Sequence, residues 1–117
     1  MSKSTRAADF VGVTKGGTFI VADSKGITKI DQGIDQLTNT VKALYSKVKQ
    51  TGGKFSVAAE LVFESVKDLE RLPREYVING SHLMKQIDGK NVPATIEVLD
   101  EGRRIIQIPI QVRFLSK

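Results

Sequence analysis

One histidine, no cysteine and thirteen carboxylates are what this 117-residue sequence offers for nucleophilic, metal or acid–base chemistry. The histidine, His82, would have to serve any Ser-His-Asp triad. Its neighbour Ser81 is badly placed for that, because adjacent residues on a helix do not face each other. A zinc site needs several His or Cys ligands, which the composition excludes. Glu60, Glu64 and Asp68 recur at four-residue steps, which on a helix makes one acidic face able to hold a cation or meet a basic partner. The plainer reading of that face is a solvated one, stabilised by Lys67 and Arg71. Gly16-Gly17 and Gly52-Gly53 lack the Lys-Ser/Thr or the dinucleotide fingerprint of a phosphate-binding loop. The sequence therefore points away from an enzyme, a bound metal and a cofactor, and toward function through surfaces.

Those surfaces are mildly basic, with a formal charge of +5 and a pI near 9.6. Such a balance permits an anionic partner through long-range attraction. The basic residues are scattered, however, and few aromatics accompany them: Phe10 and Phe19 lie near Lys15, and Phe114 beside Arg113. Nucleic acid is thus a permitted partner but not the primary one. No run of about 18 apolar residues is present, and no apolar segment follows the charges of the N-terminus. With the absence of cysteine, this leads to the expectation of a soluble chain, free of membrane, made in a reducing cytoplasm.

Residues 1–9 are polar, carry Lys3 and Arg6, and read as a flexible basic arm ahead of a single α+β domain over 10–117. Phe10-Val11-Gly12-Val13-Thr14 and Thr18-Phe19-Ile20-Val21-Ala22 flank Lys15-Gly16-Gly17, the pattern of an N-terminal β-hairpin. From Ile27 the apolar residues Ile30, Ile34, Leu37, Val41, Leu44 and Val48 alternate by three and four, which places one narrow seam on a helix. Gly26 and Gly33 weaken its first turns, so regular helix is expected nearer Asp31, ending at Thr51-Gly52-Gly53. Phe55, Ala58, Ala59, Val62, Phe63, Val66, Leu69 and Leu72 predict a second helix stopped by Pro73, completing an αα-hairpin. The first seam has two readings: intramolecular core packing, or an intersubunit coiled-coil face.

After Pro73, Glu75-Tyr76-Val77-Ile78 is β-like, Asn79-Gly80 is a turn, and Ser81–Ile87 reads as a short helix capped by Ser81. Asp88-Gly89-Lys90-Asn91 is a further turn. Val92, Ala94, Ile96 and Val98, then Ile106, Ile108, Ile110, Val112 and Phe114, alternate with period two. A three-residue loop Asp100-Glu101-Gly102, with Gly102 left-handed, would set Ile96 opposite Ile106 and Ala94 opposite Ile108. The expected fold is α+β: an N-terminal β-hairpin, an αα-hairpin, and a C-terminal antiparallel hairpin packing as a sheet against the helices. Pro93 and Pro109 lack an amide hydrogen and belong at edges, where a neighbouring chain can add.

This order of elements resembles that of the small tail-completion or tail-component proteins of tailed bacteriophages. A long helix, a second helix ending in Leu72-Pro73, then Asn79–Ile87 and a run of strands give a layout match over residues 30 to 112. In that family a Thr-Gly-x-Leu-x-x-Ser-Ile-like stretch follows the helices. Gly80, Leu83 and Ile87 match it with one extra residue between glycine and leucine. Ile78-Asn79 stands where the family has Asp-Thr, and the aromatic-rich C-terminal portion is absent. The resemblance implies a virion protein made in the bacterial cytoplasm, a homo-oligomeric ring at the head–tail junction that contacts other structural proteins. Subunit contacts are then expected at Ile27, Ile30, Ile34, Leu37 and Val41 on the helix and at Ile105, Gln107, Gln111 and Arg113 on the outward face of the last strand.

Overall fold

The computed structural model describes residues 8–24, 29–100 and 102–116. One long helix lies on a mixed sheet whose strands, in chain order, are β1 (Phe10–Val13), β2 (Phe19–Ser24), β3 (Val57–Ser65), β4 (Tyr76–Asn79), β5 (His82–Ile87), β6 (Lys90–Pro93), β7 (Thr95–Leu99) and β8 (Ile105–Ser116). The helix α1, Ile30–Thr51, joins β2 to β3 as a crossover between parallel neighbours. The order across the sheet is β1-β2-β3-β8-β5-β4, with β6 on β5 and β7 on the first half of β8.

The N-terminal hairpin forms as expected, with Phe10 paired to Ala22 and Val13 to Phe19. The helix also forms, and ends where glycine permits. Gly52 is left-handed at φ 74, its N–H bonds the Lys49 carbonyl, and the Gly53 N–H bonds that of Val48. Its seam is core. Ile30, Leu37 and Val41 have at most 1% of their surface exposed and pack with Val21, Ala59, Leu61, Phe63 and Ile110 of the sheet. The coiled-coil reading of these residues is therefore corrected, since side chains already enclosed within one chain have no surface left for another.

The second helix is not there. Residues Val57–Ser65 are strand β3, parallel to β2 on one side and to β8 on the other, and a capped 3-10 helix, Val66–Arg71, follows. The segment carried both periods at once: Ala58, Ala59, Val62 and Phe63 fit a helix, while Ala59, Leu61 and Phe63 alternate, and it is the alternating set that the fold buries. A strand hydrogen-bonded on both sides outweighs a local helical pattern. Residues 82–87 are likewise strand, not helix. The Asp88-Gly89 turn has both residues at positive φ, the conformation of a two-residue hairpin, and it folds β6 back on β5.

The C-terminal hairpin keeps its expected faces but slips by two residues. Ile96 faces Ile108, Val98 faces Ile106, and the loop widens to 100–104 with Arg103, not Gly102, left-handed at φ 63. Asp100 explains the wider loop, since its carboxylate accepts the Arg104 N–H at 2.8 Å and meets the guanidinium at 3.3 Å. That backbone hydrogen bond, followed by the charge of Arg104, lowers the Asp100 pKa despite some desolvation. A shift of two preserves which side chains point inward, so the core does not register the difference.

Candidate functional site

Chemistry of the catalytic kind finds no constellation around the residues singled out in the sequence. His82 is exposed on β5 opposite Gln111 of β8, and Ser81 is in the turn before it. The Glu60, Glu64 and Asp68 trio does not form a helical face. Glu60 lies on β3, 3.8 Å from Arg113, while Asp68 closes a capping box with Ser65 at the start of the 3-10 helix. No group of three His, Cys, Asp or Glu side chains among the described residues could hold a metal ion.

A cleft of about 590 Å³ lies between the first turns of α1 and the β4–β7 meander. Asp31, Asp35 and Glu97 make it acidic, with Lys85 as the counter-charge. The Tyr76 hydroxyl donates to Asp31 Oδ1 at 2.5 Å, and the Lys85 Nζ lies 5.9 Å from the Tyr76 ring centroid. Burial first, then the hydrogen bond to and charge of Asp31, raise the Tyr76 pKa well above the ordinary phenol range. A phenol held so firmly protonated is a tether between sheet and helix, not a proton donor near neutrality.

Among the described residues, the surfaces with unmet binding capacity lie elsewhere, on strand edges. In β1, Phe10 is 57%, Val11 44% and Val13 61% exposed. Thr14 N–H bonds the Thr18 carbonyl, and Phe19 N–H bonds Ser56 on the other side of β2. By the alternation of an antiparallel ladder, the backbone groups of Phe10 and Gly12 point at β2, while those of Val11 and Val13 point off the open edge. The Phe10 ring lies flat along the strand over Gly12, where an added Cβ would sit only 3.0 Å from it. Glycine at position 12 therefore makes room for the ring.

The outward face of β8 holds the other group expected to make contacts. Ile105, Gln107, Gln111 and Arg113 are all exposed, alternating with buried Ile108, Ile110 and Val112. Ile105 faces Leu99 at the hairpin tip, and the two are 60% and 62% exposed. Gln107 donates to Glu97 and Arg113 lies against Glu60. Ile34, only half-buried, lines the acidic cleft, and Ile27 lies outside the described residues. Of the expected arm, residues 1–7 lie outside the described residues, but Ala8 and Asp9 are held: the Ala8 N–H bonds Thr40 Oγ1 at 2.7 Å, and Asp9 accepts from Ser24 N–H at 2.9 Å.

No family model, curated protein or solved structure matches this chain. The functional reading accordingly rests on its own surfaces. Sequence patterning located the β1 hairpin and the outward face of β8. It did not show that Val11 and Val13 present free amides, because the side of a ladder on which a backbone bonds is set by the pairing, not by residue type.

Proposed function

We propose that this chain is a structural subunit that works by assembling with copies of itself and with other structural proteins. The virion tail or neck ring implied by the sequence resemblance is the setting we propose for it, resting on the match at Gly80, Leu83 and Ile87, because the second helix of that layout is strand β3 here. The observation that carries the assembly reading is β1: an edge strand with apolar, exposed side chains, two backbone amides directed into open space, and no charge or proline within it. Edges of this kind are templates for another strand, and folded proteins that avoid association blunt them. Two of the other edge strands among the described residues, β4 and β6, are blunted in part, and a third, β7, lies against α1. The outward Tyr76 N–H of β4 is taken by the Pro73 carbonyl, and Pro93 of β6 has no N–H to offer.

The described chemistry agrees with this. The acidic cleft is occupied with holding the fold together, and no helix among the described residues is long and apolar enough to cross a membrane. Light scattering after size exclusion, at low and high salt and with or without nucleic acid, tests the reading. A complex of more than one chain that survives high salt is expected, because apolar strand edges are insensitive to screening. A monomer that binds nucleic acid with affinity falling steeply as salt rises would replace the assembly reading with that of a basic nucleic-acid-binding module.

A further inference from the structure

The β1 edge carries enough information to name its partner. We infer that β1 pairs antiparallel with β1 of a second copy of this chain, about a two-fold axis that passes beside Gly12. This deepens the assembly reading and rests on it.

The register follows from the directions already fixed. Only Val11 and Val13 direct both backbone groups outward within the strand, so an antiparallel partner must bond to those two residues. When the partner is the same strand, the symmetric solution sets Val11 against Val13 of the second copy and Val13 against its Val11. Each such pair exchanges two main-chain hydrogen bonds, roughly four in all. Gly12 then faces Gly12 across the axis. The two Phe10 rings, each lying over its own Gly12, come within aromatic contact of one another on the same face.

The flanking charges select this register independently. Three residues to either side of Gly12, the same register brings Asp9 opposite Lys15 of the second copy and Lys15 opposite its Asp9. Both residues are exposed, Lys15 in the β1–β2 turn and Asp9 with Oδ2 on the Ser24 N–H, so an ion pair at each end of the ladder would use Asp9 Oδ1. A slip by two residues would remove both pairs. Such an arrangement is isologous: each patch is its own complement, and it closes at two copies. Within a ring-forming subunit, the same contact joins two rings rather than extending one.

Ala8 is fastened to Thr40 of α1 and Asp9 to Ser24 of β2, which holds the start of β1 against the fold.

Analytical ultracentrifugation of the full chain between about 10 μM and 1 mM, the range for a contact of this small size, should show one copy converting to two. Val11→Pro removes an outward N–H and no internal hydrogen bond, and is expected to abolish the conversion while leaving the far-UV spectrum and thermal midpoint close to the parent's. Lys15→Glu places like charges opposite at both ends and should weaken the pair about tenfold, whereas Lys15→Arg, which keeps the charge and leaves the Asp9–Ser24 bond intact, should leave it unchanged. Lys15 lies outside the ladder, so its variants fold whether or not Val11→Pro does. An unchanged multimer in Val11→Pro and Lys15→Glu would overturn the β1 pairing while leaving assembly through other surfaces intact. A chain that stays single up to about 1 mM would overturn both.

Discussion

Tyr76 and Asp31 are 45 positions apart, yet the hydroxyl of one fastens β4 to the first turn of α1 through the other. Replacing Tyr76 by Phe leaves the ring and removes the tether, at an expected cost of about 1–2 kcal/mol in the urea unfolding free energy. The pH dependence has a definite sign. The folded phenol pKa is raised above its unfolded value of about 10, so the stabilisation is fully present below that pH and is lost as pH rises toward the folded value. Parent stability should therefore fall more steeply than that of Y76F once pH exceeds about 10, and equal slopes would remove the tether from the account. Arg103 offers a second test at this scale. A non-glycine residue at φ 63 is strained, so Arg103→Gly should raise stability by about 1 kcal/mol, read from the same titrations. Neither feature is legible in the sequence: the first depends on a contact between distant segments, and the second on a loop two residues wider than glycine alone suggested.

Elements were legible in proportion to how unambiguous their period was. The three-and-four spacing from Ile30 to Val48 admits only a helix, and Gly52 marks its end, so α1 was readable almost to its bounds. Residues 55–72 fit two periods, and the choice was made by β2 and β8, which lie far away in sequence and bond β3 from both sides. Asp88-Gly89 was visible as a turn, but its consequence, that strands must precede and follow it, competed with a plausible capped helix from Ser81. The status of the α1 seam can be checked directly. Leu37→Ala should cost about 2–5 kcal/mol as a buried cavity mutation. A charged residue at Leu37 or Val41 should unfold the chain, as seen by loss of the cooperative thermal transition. A folded monomer from that substitution would return the seam to the interface.

At the scale of the molecule, one helix covers one face of the sheet, and the binding capacity left over collects on β1 and along the outward residues of β8. Period two placed Ile105, Gln107, Gln111 and Arg113 outside, which the burial pattern of β8 matches. Which backbone amides remain free is a property of the assembled sheet. Residue-resolved hydrogen exchange, measured on the intact chain at low and high protein concentration, reads those amides directly. The Gly12 amide, directed at β2, should be protected at both concentrations. The Val11 and Val13 amides should exchange freely when dilute and become protected together as concentration rises. Exchange at Val11 and Val13 that stays fast and independent of concentration, in a chain that nevertheless multimerises, would contradict an assembly built on this edge.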